Sequence, residues 1–161
     1  MPDEYLKDDA ENIYRVYYDS PIGIIEIQGT KDFVHVIDFV SKKEHDVGIS
    51  EALNECLVQL DEYFTGQRKT FSVRYFLKGT SFQKNVWQEL IKIPFGKTLS
   101  YEEIAIAVGN KKATRAVGNA IGKNPLSVIV PCHRVVGKNG TLTGYAEGLW
   151  RKSWLLRHEG I

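Results

Sequence analysis

The sequence predicts an α+β protein: a small N-terminal domain of antiparallel strands with a helix, then a mainly helical domain containing a helix-turn-helix. Three observations carry this. β-Branched and aromatic residues crowd positions 12–40, interrupted by Pro and Gly. Apolar residues recur every three or four positions over 49–65 and again after residue 80. The charge divides at the same place. Residues 1–79 carry nine Lys/Arg against fifteen Asp/Glu, a net of −6, while residues 80–161 carry twelve against five, a net of +7. The domains are accordingly placed at 1–79 and 80–161.

Taken in order, "IYRVYYD", the turn "SPIG", "IIEIQG" and "FVHVIDFV" read as strands joined by short turns. Over 49–65 an amphipathic helix carries Leu53, Cys56, Leu57, Leu60 and Phe64 on one stripe and ends at Gly66. Cys56 lies on that stripe and is assigned to packing. Around 67–79 the composition shifts, and "FLKGTSF" reads as the link between domains. Thr80 or Ser81 can cap the next helix, whose apolar face is Phe82, Val86, Trp87, Leu90 and Ile91; Pro94 and Gly96 stop it.

Composition excludes several classes. No apolar run approaches the roughly 18 residues of a membrane span, so no membrane partner is expected. The acidic start "MPDEYLKDDAEN" does not resemble a signal peptide. Two distant cysteines do not make a disulfide framework, and no CxxC, HxxxH or HExxH spacing points to a metal. Neither metal nor cofactor is expected. The chain is expected in the cytoplasm: on the nucleoid in a prokaryote, in the nucleus in a eukaryote. A positive C-terminal half following an acidic N-terminal half in the sequence suggests that the former meets a polyanion.

"LSYEEIAIAVGNKKATRAVGNAIGKNP" is dense in local signals. Ser100 and Glu103 form a capping box. Ile104, Ala105 and Val108 then make a short apolar face, and Gly109-Asn110 breaks the helix. A second helix runs from about Lys112 to Ile121, with Ala113, Ala116, Val117 and Ala120 as its small buried face and Gly122 at its end. Two short helices around a tight turn form a helix-turn-helix, and the second would read DNA. Spacing alone also allows a hairpin used only for packing. Small residues (Ala116, Gly118) permit close approach, and Lys111, Lys112, Arg115 and Lys123 can replace counterions condensed on phosphates.

In "VIVPCHRVVG" Cys132 stands between Pro131 and His133, where a thiol could be a core residue or a nucleophile. A nucleophile needs a base or positive charge nearby. His133 is adjacent, but consecutive residues of an extended segment point to opposite sides, which argues for a bridging water over direct contact.

"IPFGKTLSYEEIA", "GNKKATRAVGNAIGKNP", "PCHRVV" and "GYAEGLWRKSWLLRHEG", in that order over residues 80–160, closely resemble the O6-alkylguanine-DNA alkyltransferases. The resemblance implies direct-reversal repair in a single turnover. Cys132 would accept the alkyl group from O6 of guanine, with O4 of thymine as a further candidate. His133 would act as base through water, oriented by Glu159, with Asn124 bracing the arrangement. Tyr101 would donate towards guanine N3 and rotate the phosphate outwards; from the residues alone a staple in the core is the preferred reading. Arg115 would fill the space left by the extruded base, or serve as one more phosphate contact. Val135, Tyr145 and the backbone of Ala146 would line the base pocket, with Ile121 along the alkyl group. The implied partner is duplex DNA containing alkylated guanine, bound by a monomer, with cooperative assembly left open. Extrusion follows from reach: a thiol cannot attack in line at a stacked base.

One stretch departs from the family. Where it often has Tyr-Ser-Gly-Gly, this chain has "YAEG", so Ala146 lacks a hydroxyl and Glu147 puts a bulky anion at the pocket rim. Methyl adducts are therefore expected to be accepted and benzyl-type adducts handled poorly, unless Glu147 points into solvent. The competing function is a helix-turn-helix DNA-binding protein that senses or flags alkyl lesions without repairing them.

Overall fold

The computed structural model describes residues 12–161, and the chain divides into two compact units, one ending at Leu77 and the other beginning at Lys78. The first unit is built on an antiparallel meander of β1 (Tyr14–Ser20), β2 (Gly23–Gly29) and β3 (Val34–Val40). Alternation decides its faces: Val16 pairs with Ile27, and Ile27 with Ile37, so that one side of the sheet is apolar and buried. A bulge at Gln28/Gly29 turns the end of β2. Gly29 is required there, because a Cβ would stand 2.2 Å from the Phe33 carbonyl oxygen.

Helix α1 (Glu51–Phe64) covers the sheet with Leu53, Cys56, Leu60, Tyr63 and Phe64, while Leu57, expected on the stripe, is only half-buried. Ser50 caps it, accepting from the Leu53 amide and donating to the Thr30 carbonyl at 2.9 Å. Burial raises the Cys56 thiol far above its ordinary value, as a packed sulfur requires. The stretch read as a link is not all link. Val34 bridges in parallel to Tyr75, and Val73, Phe76 and Leu77 are buried, so these residues extend the first unit.

The second unit begins with α2 (Ser81–Ile91), capped by Thr80 in a reciprocal box with Gln83. Val86, Trp87 and Leu90 are buried, whereas Phe82 and Ile91 are half-buried. Trp87 Nε1 donates to the Ala120 carbonyl at 2.8 Å, which ties α2 to the helix-turn-helix. Its two helices are α3 (Tyr101–Ala107), capped by the Ser100–Glu103 box, and α4 (Thr114–Gly122), preceded by a single 3-10 turn over Lys111–Ala113. Helices this short are marginal alone and depend on packing. The buried face of α4 is Val117, Ala120 and Ile121; Ala116, expected in it, is exposed, and Ala113 is half-buried.

The segment carrying the second cysteine differs from its reading as a strand. Residues 132–134 form a 3-10 turn, and only Val135–Val136 (β5) pair, in parallel, with Leu99–Ser100 (β4). Pro131, which cannot donate to a ladder, precedes the turn. Helix α5 (Leu149–His158) closes the unit on Leu155 and Leu156.

Candidate active site

The site is built on the loop that leaves α4. Asn124 organises it: Oδ1 accepts from the Leu126 amide at 2.9 Å, and Nδ2 donates to the Val130 carbonyl at 2.8 Å and to Cys132 Sγ at 3.2 Å. One side chain thus fixes the loop and supplies a donor to the sulfur. Val128 within this loop has φ 73°, a left-handed conformation that a β-branched residue adopts only when its surroundings impose it.

Cys132 is 6% exposed and faces a cavity of about 510 Å³. Tyr101 contributes from the start of α3, Gly118 and Ile121 from α4, Asn124 and Ser127 from the loop. The opposite stretch, Thr143 to Glu147, completes the walls. Gly118 would have no protein atom within 4 Å of an added Cβ, so packing within the chain does not demand glycine there. The space it leaves belongs to the cavity.

Behind the thiol lies a buried charge cluster. His133 and Glu159 are 0% and 4% exposed, and His133 Nε2 stands 2.7 Å from Glu159 Oε2. Arg134 makes a two-pronged contact with the same carboxylate, Nε to Oε1 at 2.8 Å and Nη2 to Oε2 at 3.0 Å, and its Nη1 donates to the Ile93 carbonyl at 2.7 Å. The Gly96 amide also donates to Oε1, at 3.3 Å. With Arg134 holding Glu159 as a carboxylate, the His133 proton belongs on Nε2, and Nδ1 is left as the basic nitrogen. That Nδ1 is buried and has no protein hydrogen-bond partner among the described residues.

Burial pushes the Cys132 thiol above its ordinary range; the hydrogen bond from Asn124, the nearby Tyr145 hydroxyl and the charge of Lys152 oppose this, while Glu147 adds to it. Burial also pushes the His133 imidazole below its ordinary range, against the pull of Glu159. Both directions favour a neutral thiol beside a neutral imidazole at rest.

The remaining expected residues divide. Tyr145, Ala146 and Glu147 line the cavity. Glu147 does not simply face solvent: it is half-buried, and its Oε1 accepts from Ser127 Oγ at 3.2 Å. Val135 is a correction. It is fully buried in β5 and is not among the cavity walls, because the turn at 132–134 redirects the chain before it. Arg115, Ala116, Lys112 and Lys123 are exposed on or beside α4, and Lys111 lies 3.7 Å from Glu102, an ion pair at the surface.

Two residues escaped the sequence reading. Arg134 is given no role by the sequence, since its partner lies 25 positions away. Lys152 is 0% exposed, donates from Nζ to the Gly144 carbonyl at 3.1 Å and stands 5.8 Å from the Tyr101 ring centroid. Its signal was present: it shares the stripe of Leu155 and Leu156, three and four positions on.

Residues 81–161 match the DNA binding domain of 6-O-methylguanine DNA methyltransferase, and residues 13–75 match its ribonuclease-like domain. The chain belongs to this family. It is 46% identical over 154 residues to the methylated-DNA–protein-cysteine methyltransferase of Methanosarcina acetivorans, covering 92% of this chain and 99% of that protein. It is 49% identical to the constitutive methylated-DNA–protein-cysteine methyltransferase of Bacillus subtilis over 132 residues, 81% of this chain and 79% of that one. The crystal structure of the Mycobacterium tuberculosis O6-methylguanine methyltransferase superposes with a TM-score of 0.83 at 39% identity, covering 91% of this chain and 92% of that one. Mycobacterium tuberculosis OGT in complex with DNA gives 0.82 at 42% identity, covering 89% and 90%.

Within the family's architecture, the Arg134–Glu159 pair has a measurable consequence. Arg134→Met leaves the carboxylate buried without its cation and should cost about 3–5 kcal/mol in denaturant unfolding. Replacing both partners by apolar residues should recover part of that loss. Equal loss in the single and double variants would mean that the pair acts through packing alone.

Proposed function

We propose that this chain is a methylated-DNA–protein-cysteine methyltransferase that repairs DNA by direct reversal, with Cys132 as the acceptor. The observation that carries the reading is a buried thiol opening onto a cavity, bonded by Asn124, with the His133–Glu159–Arg134 cluster behind it. DNA is the partner, approached by the exposed basic face of α4, and a single chain serves one lesion.

The alkylated nucleotide leaves the stack and enters the cavity, at a cost of a few kcal/mol that is smaller for a poorly paired base. Arg115, exposed on α4, takes the vacated place in the duplex, where its flat guanidinium can stack and hydrogen-bond. A water between Sγ and His133 Nδ1 carries the thiol proton to the imidazole, whose positive charge Glu159 then stabilises. The sulfur electron pair forms the S–C bond, the C–O6 bond breaks, and its pair goes to O6. Tyr101 donates a proton towards N3 of the departing guanine, and the proton released by the thiol makes up the balance. Ile121 packs along the alkyl group. The product is a thioether with no easy return, so each molecule acts once.

Relatives named as methyltransferases, together with a sulfur on the cavity wall, favour transfer over lesion sensing alone. Incubation with methylated duplex should add one methyl to Cys132 by intact mass and peptide mapping, and none to Cys132→Ala. Loss of the base in His133→Ala should slow transfer about a hundredfold or more, with a much smaller effect on DNA binding. Equal effects on both would remove His133 from the relay.

Arg115→Ala should slow repair in duplex far more than reaction with the free modified base, and similar losses in both would refute its part in extrusion. The pH profile follows from the thiol. Held above its ordinary value of about 8.5, it gains thiolate as pH rises, so transfer should accelerate between about pH 7 and 9. A flat profile over that range would place the thiolate at rest instead.

A further inference from the structure

The cavity beside Cys132 carries its charge on one wall. Among the described residues that line it, Glu147 is the one with a formal charge at neutral pH. The side chain is held in place: Oε1 accepts from Ser127 Oγ at 3.2 Å, and Ser127 is itself 2% exposed. Arg151 donates to the backbone carbonyl of Glu147 at 2.8 Å with its guanidinium 4.5 Å from the Trp150 ring centroid, and Lys152, which is not among the cavity walls, donates to the carbonyl of Gly144, which is. The Glu147 charge reaches the sulfur, acting on Cys132 in the direction opposite to Lys152.

Displacement requires the adduct carbon to stand against Sγ with the C–O6 bond in line. Whatever else that carbon bears then shares with the base a cavity of which Glu147 and Ser127 are walls. A neutral substituent meets a half-buried hydrogen-bonded carboxylate as an ordinary polar neighbour. An anionic substituent meets a like charge where water screens poorly.

We propose that Glu147 is a charge filter for the O6 substituent, disfavouring adducts that carry a negative charge, of which carboxymethyl is the simplest, against neutral adducts of the same size. The inference rests on the repair reading above. The step is the same displacement. The sulfur pair forms an S–CH₂ bond, the CH₂–O6 bond breaks with its pair going to O6, the thiol proton restores the guanine, and S-carboxymethylcysteine remains.

The test compares three duplexes that differ only in the O6 group: methyl, carboxymethyl and the isosteric neutral carbamoylmethyl. Adduct formation on Cys132 is followed by mass under single-turnover conditions, in the unaltered protein and in Glu147→Gln. The unaltered protein should transfer carbamoylmethyl at least about tenfold faster than carboxymethyl, a modest fraction of the effect of like charges a few ångströms apart. Glu147→Gln keeps the side-chain shape and the acceptor for Ser127, and should narrow that ratio by about tenfold. Because the measure is a ratio within each protein, any general change in thiol reactivity cancels. Equal rates for the two substituents in the unaltered protein, or an unchanged ratio in Glu147→Gln, would overturn the filter while methyl transfer stands. Absence of methyl transfer by the unaltered protein would overturn the repair reading and the filter with it.

Discussion

A carboxylate buried at the C-terminal end of a helix is the constraint around which the second unit is arranged. Glu159 caps α5, where the helix dipole disfavours negative charge, and almost none of it reaches solvent. Taken alone, that placement is costly. It becomes tenable because Arg134 grips both oxygens and His133 and the Gly96 amide donate to them. Those donors are far apart in the chain. Satisfying one carboxylate therefore pins the turn after Pro131, the loop after α2 and the chain's last helix to a common point, and the thiol is carried on the pinned turn.

The loop between α4 and that turn does a second job. A valine in the left-handed region and a run of buried residues from Leu126 to Val136 would not hold their shape by local preference. Asn124 supplies what local preference lacks, bonding the backbone ahead of it and the sulfur beyond. Replacing it with aspartate would substitute acceptors for the amide's donors and set a negative charge beside a group that must itself become negative. The cavity is the space left between this rigid loop, the glycine face of α4 and the stretch from Thr143 to Glu147.

Legibility in the sequence followed the range of the interactions. The Ser100–Glu103 box, α1 and the two short helices were visible as patterns of neighbours within four or five positions, the strands as composition broken by turn residues, and Thr80 as a possible cap without its Gln83 partner. The thiol, Asn124, His133 and Glu159 were assembled from resemblance, since nothing local to "RHEG" says that its carboxylate meets a histidine 26 positions earlier. The two errors beside the thiol share one cause. An apolar run ending in Pro-Cys-His was taken as extended, whereas Pro131 and the pull of Arg134 towards Glu159 wind it into a 3-10 turn. That winding removed Val135 from the cavity. Ala116 was counted inward because small residues suit either a close helix contact or a close nucleic-acid contact, and periodicity does not separate the two.

The electrostatics of Cys132 make sense only when the thiol's single use is considered. Enzymes that recycle a cysteine gain from a standing thiolate, which is nucleophilic towards every electrophile that can reach it. A sulfur consumed by its first reaction loses from the same reactivity, because a stray electrophile disables the molecule permanently. Here burial is the largest influence on the thiol and favours its protonated form, and burial likewise keeps His133 neutral. The groups that favour the thiolate, Asn124, Tyr145 and Lys152, are held in place around a cavity wide enough to take a base. On the repair reading proposed above, an extruded base that filled this cavity would align its alkyl carbon with the sulfur and exclude bulk water from both. The thiol proton would then pass to Nδ1 of His133, where Glu159 would offset the new positive charge. On that reading ionisation would be coupled to occupancy, and the resting protein would be protected by the same burial that pushes its thiol up.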